Sequence, residues 1–211
     1  MFNYQIIIEY LGTGYIGWQV QKNGQSIQMI VQKSLSKVLN SKIKINGSGR
    51  TDAGVHAIAQ SANFILSREI KDKYKFLNSV NFFLRKKSIS IKKINKKNIN
   101  FHARHSVKRK IYKYIILNRS TRSPIYDKRA WLVKKKLNLA AMKKGVKFYL
   151  GKHNFTTMRA ASCVAKSPIR TITKAKVNIR GGKITITFES KSFLQKQVRS
   201  MVGCLKYVGE N

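Results

Sequence analysis

The chain has 211 residues, 44 of them Lys or Arg against seven Asp or Glu, with a formal charge of +37 and 43% hydrophobic content. That length and apolar content support one large domain or two small ones with their own cores, and exclude a charged, disordered tail. There is no run of eighteen apolar residues to span a membrane and no basic-then-apolar secretory opening in residues 1–5; Cys163 and Cys204 are too few for a disulfide framework or a cysteine zinc site, which fits a reduced cytoplasm.

So large a positive charge points to a polyanion, most commonly nucleic acid. Part of the excess follows from a Lys, Asn and Ile bias, as in residues 92–100. Charge therefore indicates RNA or DNA and carries no chemistry.

Residues 4–10 place an apolar side chain at every second position and read as a strand. They run into a glycine loop carrying Tyr15 and Trp18, whose aromatics either stack on bases or form a structural lid. Ser26 can cap a helix with Ile27, Ile30, Val31, Leu35, Val38 and Leu39 at helical spacing. Short strands are predicted over 42–45 and 58–66, a helix over 73–84 with Phe76, Leu77, Val80 and Leu84 on one face, and a half-solvated strand over 88–94. This order of strand, helix, strand, strand, helix, strand is α+β rather than doubly wound.

The second half opens with a strand over 106–117 in which Tyr112, Tyr114 and Ile116 alternate. Asn138 can cap a helix with Leu139, Met142, Val146 and Tyr149 inward, stopped by Gly151. Residues 153–160 read as a loop, and Arg180-Gly181-Gly182 as the turn of a hairpin between strands 171–179 and 183–189. A last helix is expected from Ser192 through Tyr207, with Leu194, Val198, Met201, Val202 and Leu205 inward. The halves match in element order, which suggests two similar α+β units of mostly antiparallel strands, over 1–105 and 106–211, with helices on one face of each.

Between the second and third strands stands Asn46-Gly47-Ser48-Gly49-Arg50-Thr51-Asp52-Ala53-Gly54-Val55-His56-Ala57. Glycine permits close approach of another chain or a ligand, and a loop this rich in it that also carries reactive side chains suits a site. Asp52 is its only acid, two residues from Arg50, whose guanidinium can hold a carboxylate ionised through charge-assisted hydrogen bonds. Taken alone, Asp52 could equally cap a turn with Arg50 as its surface partner. No Gly-Lys-Ser phosphate loop or nucleophile elbow occurs. His56, His102, His105 and His153 lack acidic or cysteine partners at ligand spacing, so no metal site is expected. What remains is one carboxylate on a basic chain, able to act as a covalent nucleophile or as a general base.

Gly49-Arg50-Thr51-Asp52-Ala53-Gly54-Val55-His56-Ala57 resembles the signature of the TruA-type tRNA pseudouridine synthases. Further landmarks follow in the family's order: Glu9-Tyr10, Gly12-Thr13 and Gly17-Trp18-Gln19, then Phe101-His102-Ala103-Arg104 and Tyr112-Lys113-Tyr114. His153-Asn154-Phe155-Thr156, Lys166-Ser167-Pro168-Ile169-Arg170-Thr171 and residues 193–203 continue the likeness through the second half. The resemblance implies the pseudouridine synthase fold, with the two units meeting at a basic cleft, and a homodimer. It implies isomerisation of uridine to pseudouridine in the tRNA anticodon arm, at tRNA positions 38 to 40, with no metal or other cofactor.

By the same resemblance, Asp52 matches the nucleophilic aspartate and Tyr112 the tyrosine that stacks on the flipped uracil. Arg199 matches the arginine that pairs with the aspartate, sharing a helix face with Gln195 and Gly203, and Arg50 positions RNA or the flipped nucleotide. A target uridine must leave its stack to be reached, so a basic groove with an aromatic platform is expected. Three departures stand out. Leu11 replaces a frequent acid, Leu84-Arg85-Lys86 replaces a Leu-Pro segment, and Gly209-Glu210-Asn211 ends short of the family's usual C-terminal segment. The alternative is a catalytically idle RNA-binding or RNA-folding protein on the same scaffold, which would not need Asp52, Tyr112 and Arg199 together.

Overall fold

The structure, a computed structural model, describes residues 1–211 and divides the chain into two units, Met1–Val107 and Lys108–Asn211. The first holds β1 (Phe2–Tyr10), α1 (Ile27–Leu39), β2 (Asn46–Gly47), β3 (Ala57–Leu66), α2 (Lys73–Leu84) and β4 (Ile89–Lys97). Its sheet has the order β2-β3-β1-β4 with every pairing antiparallel. Alternation along β1 turns Tyr4, Ile6, Ile8 and Tyr10 to one face, none more than 2% exposed. The register against β3 slips between Ile8 and Tyr10, at the end of the strand that faces the glycine loops.

Ser26 caps α1 by accepting from the Met29 N–H, and Asp72 caps α2 by accepting from the Lys75 N–H. The spacing of Ile27, Ile30, Val31, Leu35 and Leu39 buries one stripe of α1, and Phe76, Val80 and Leu84 bury one stripe of α2. Each such side chain contributes roughly 1.5–3 kcal/mol when fully removed from water. One expectation is corrected: residues 42–45 form no strand, and the pairing falls at Asn46 and Gly47, opposite Asn63 and Ala62. The backbone donors of Ile43 and Ile45 are taken by Ser36 Oγ at 2.9 Å and Gln32 Oε1 at 3.0 Å. Helix side chains satisfy what a sheet neighbour would otherwise satisfy.

The second unit holds β5 (Lys110–Asn118), β6 (Trp131–Val133), α3 (Leu139–Gly145), β7 (Gly151–Asn154), β8 (Ile169–Arg180), β9 (Lys183–Ser190) and α4 (Gln197–Glu210). The sheet order is β6-β5-β9-β8-β7, antiparallel apart from the β5–β6 pair. Ile184, Ile186 and Phe188 of β9 are fully buried and pack with Met142 of α3 and with Met201, Val202 and Leu205 of α4. Gly181 and Gly182 turn β8 into β9 as the hairpin reading requires. The fold is mixed α and β with antiparallel sheets predominating, as the pseudouridine synthase resemblance implies.

Three local readings are corrected here. β6 was not anticipated, because three residues are too few to show a period. Residues 153 and 154, read as loop, lie in β7, whose four residues are all exposed and carry no hydrophobic alternation. The last helix begins at Gln197 rather than Ser192. The Ser192 N–H donates to Ser190 Oγ and the Leu194 N–H to Gln197 Oε1, so local side chains hold 192–196 as a loop. No helix is long and apolar enough to cross a membrane.

Candidate active site

Residues 48–56 leave β2 and return at β3, and hydrogen bonds fix the main chain on both sides of Asp52. Upstream, the Ser48 N–H donates to the Ser61 carbonyl at 2.8 Å and Gln60 Nε2 donates to the Gly49 carbonyl at 2.5 Å. At Thr51 the carbonyl accepts from the Trp18 N–H at 3.0 Å, while its hydroxyl lies 2.8 Å from Tyr10 Oη. Downstream, the Val55 N–H closes a turn on the Asp52 carbonyl at 3.2 Å, and His56 Nδ1 accepts from the Gly12 N–H at 2.9 Å. The Asp52 side chain, on a backbone held this way, is half-exposed.

The opening glycine loop lies directly on this backbone. Gly17 has φ +106°, and a Cβ there would stand 2.5 Å from the Thr51 carbonyl oxygen. At Gly12 a Cβ would collide with the Val55 carbonyl. Only glycine permits an approach this close.

Trp18 is 2% exposed, with its ring 6.2 Å from that of Tyr10, so it is core rather than a stacking platform. The Tyr15 hydroxyl donates to the Lys87 carbonyl at 2.5 Å, and burial raises its pKa above the ordinary phenol value, which keeps it a donor. The Leu11 N–H donates to the Ser88 carbonyl at 3.0 Å. The 3₁₀ turn Arg85–Lys87, where this chain departs from Leu-Pro, thus buttresses the opening loop together with Ser88.

Arg50 is exposed, and its Nε donates to Gln19 Oε1 at 3.2 Å. None of the four ion pairs includes Asp52, so the expected charge-assisted pair of Arg50 with Asp52 is absent. Gln19, brought over by the opening loop, takes the guanidinium instead. Sequence separation hid this partner, as it hid Tyr10 for Thr51 and Gly12 for His56.

A second pinned segment follows β4. Asn3 Nδ2 donates to the carbonyls of Asn98, Ile99 and Phe101, and Asn63 Oδ1 accepts from the Ala103 N–H at 2.9 Å. Both asparagines are buried, and Asn63 Nδ2 also donates to Asn3 Oδ1 at 3.1 Å. Polar groups this deep require such satisfaction. They hold the turn that carries His102, exposed Arg104 and exposed His105. His102 Nδ1 accepts from the Arg104 N–H, and the rings of His102 and His105 lie 4.5 Å apart. No group of three or more His, Cys, Asp or Glu side chains could hold a metal ion.

In the second unit Tyr112 lies on β5, opposite Phe188 of β9, half-buried with its ring edge-on to Phe193 at 4.9 Å. Arg199 is exposed in the first turn of α4. Gly203 lies one helical turn further on the same face, but Gln195 precedes the helix, and its carbonyl accepts from the Ala160 N–H at 3.0 Å. The expected three-residue face is therefore a pair.

Comparison with known proteins gives the family. A family model described as tRNA pseudouridine synthase matches residues 6–106 and 146–211, which include Asp52 and Arg199 but not Tyr112. A tRNA pseudouridine synthase A of Pelagibacter ubique (strain HTCC1062) is 53% identical over 211 residues, covering all of this chain and 86% of its own length. A tRNA pseudouridine synthase A of Ehrlichia ruminantium (strain Gardel) is 40% identical over 208 residues, 98% of this chain and 84% of its own. With a braced aspartate loop, antiparallel sheets and similarity over the full chain, this protein belongs to the tRNA pseudouridine synthase family.

Proposed function

We propose that the chain is an isomerase that converts uridine to pseudouridine in the anticodon arm of tRNA, with Asp52 as the nucleophile. In that reaction the glycosidic bond from the sugar C1′ to N1 breaks, the uracil turns, and a bond from C1′ to C5 forms. The C5 proton leaves and N1 takes one up, so atoms and electrons balance without an oxidant, reductant or second substrate. The observation that carries this reading is the placement of a lone carboxylate on a backbone braced from both sides, in a chain 53% identical along its whole length to a tRNA pseudouridine synthase A.

The other roles rest on the resemblance. Tyr112 stacks against the flipped uracil, Arg199 supports the ionised Asp52, and Arg50, already oriented by Gln19, reaches the RNA. The same reading takes a tRNA substrate in the cytoplasm and, by the resemblance, a homodimer. Pseudouridine mapping of tRNA incubated with the purified protein and no added cofactor tests the reading. New pseudouridine in the anticodon arm is the expected result. Bound but unmodified tRNA would overturn the reading in favour of an RNA-binding protein, and activity lost to a chelator would replace it with metal chemistry.

A further inference from the structure

We propose that a groove at the ends of β7, β8 and β9 is a subsite for RNA-backbone phosphate, used alongside the Asp52 chemistry and resting on the tRNA reading above. The groove is an open surface depression of about 440 Å³, lined by Lys152, Arg170 and Lys191 with the hydroxyl residues Ser167, Thr171 and Ser192 among its walls. No carboxylate lines it, and none of the chain's four ion pairs involves any of its three cations. Glu189, the carboxylate beside Ser190 in the chain, stands 4.0 Å from Arg109.

The arginine is not a loose surface side chain. Arg170 Nη1 donates to the carbonyls of Ser167 at 2.9 Å and Ile169 at 2.6 Å, while its Nε is buried without a hydrogen-bond partner. Lys152 sits opposite Thr171 in the β7–β8 pair, one position from His153 opposite Arg170. The Ser190 hydroxyl ties the strand ends, its Oγ lying 2.7 and 2.8 Å from the carbonyl oxygens of Thr171 and Ser192. Lys152, Arg170 and Lys191 thus line one open concavity at the strand ends, and none of them is in an ion pair. A phosphodiester suits a fixed guanidinium flanked by two ammonium groups. RNA is favoured over a free anion by what comes next in the chain. Lys191 and Ser192 lead into Phe193, whose ring packs on Tyr112, so the groove adjoins the residue that stacks on the flipped base.

The test is the salt dependence of tRNA binding for Lys152→Gln/Lys191→Gln, against a control carrying Lys71→Gln and Lys73→Gln in the first unit. Each phosphate contact contributes about −0.7 to −0.9 to the slope of log affinity against log salt, so the groove variant should lose roughly 1 to 2 from its magnitude while the control loses nothing. Arg170→Gln should act in the same direction, and a thermal melt identifies any unfolded variant. Unchanged slopes in the groove variant, an equal loss in the control, or a groove that inorganic phosphate fills without competing with tRNA would each overturn the proposal. Pseudouridine formed by wild-type protein in the same preparation is scored separately, so failure of the groove and failure of the tRNA reading are distinguishable.

Discussion

The Tyr10 hydroxyl lies 2.8 Å from Thr51 Oγ1, joining the last residue of β1 to the residue that precedes Asp52. Tyr10 is 2% exposed, and a core strand thereby anchors the loop that carries the carboxylate. Tyr10→Phe keeps the ring and removes this anchor. Losing one neutral hydrogen bond costs roughly 0.5–1.5 kcal/mol, or about twofold to tenfold in rate where it falls on the transition state. Single-turnover pseudouridine formation should slow by that factor with tRNA affinity close to wild type. A drop in affinity with an unchanged rate would show that the anchor serves RNA docking instead.

Arg199→Ala should lower turnover far more than tRNA binding. A charge-assisted hydrogen bond contributes about 1.5–3 kcal/mol, which corresponds to roughly 10- to 150-fold in rate. Filter binding beside single-turnover kinetics separates the outcomes, and weaker binding with intact chemistry would make Arg199 a phosphate contact only.

Cys163 offers a pH readout of the basic groove. Backbone N–H groups of Ala165 and Gln195 hold its thiol below the ordinary thiol pKa, with further help from Arg159 and Arg170. A lowered pKa means the thiolate persists to lower pH than in an unfolded chain. In a Cys204→Ser background, the midpoint of alkylation against pH should therefore fall below that of the denatured protein. Arg170→Gln, or tRNA occupying the groove, should move the midpoint upward. A midpoint unaffected by either would separate Cys163 from Arg170 electrostatically.

Much of the first unit was legible because its signals are local. Ser26 and the Ile27, Val31 and Leu35 stripe declare α1 within a few residues, and the alternation of Tyr4, Ile6 and Ile8 declares β1. The failures arise where a local pattern meets a partner distant in sequence. Ile43 and Ile45 alternate like a strand, yet Ser36 and Gln32 take their backbone donors. Ser192 looks like a cap, yet Ser190 and Gln197 fold its neighbourhood into a loop.

The site divides in the same way. Asp52 was visible as a lone acid among glycines, whereas its supports come from Tyr10, Gly12 and Trp18, some forty residues upstream by strand pairing. Arg50 illustrates the limit: proximity in sequence suggested Asp52, and the fold supplied Gln19.

The proposed isomerisation turns on the Asp52 carboxylate. Asp52→Asn preserves shape and removes the nucleophile, so the decisive measurement is single-turnover pseudouridine formation by this variant at a tRNA concentration that saturates binding. Bound tRNA, a wild-type melting profile and no pseudouridine are expected. Pseudouridine formed at the wild-type rate would contradict this and remove Asp52 from the chemistry.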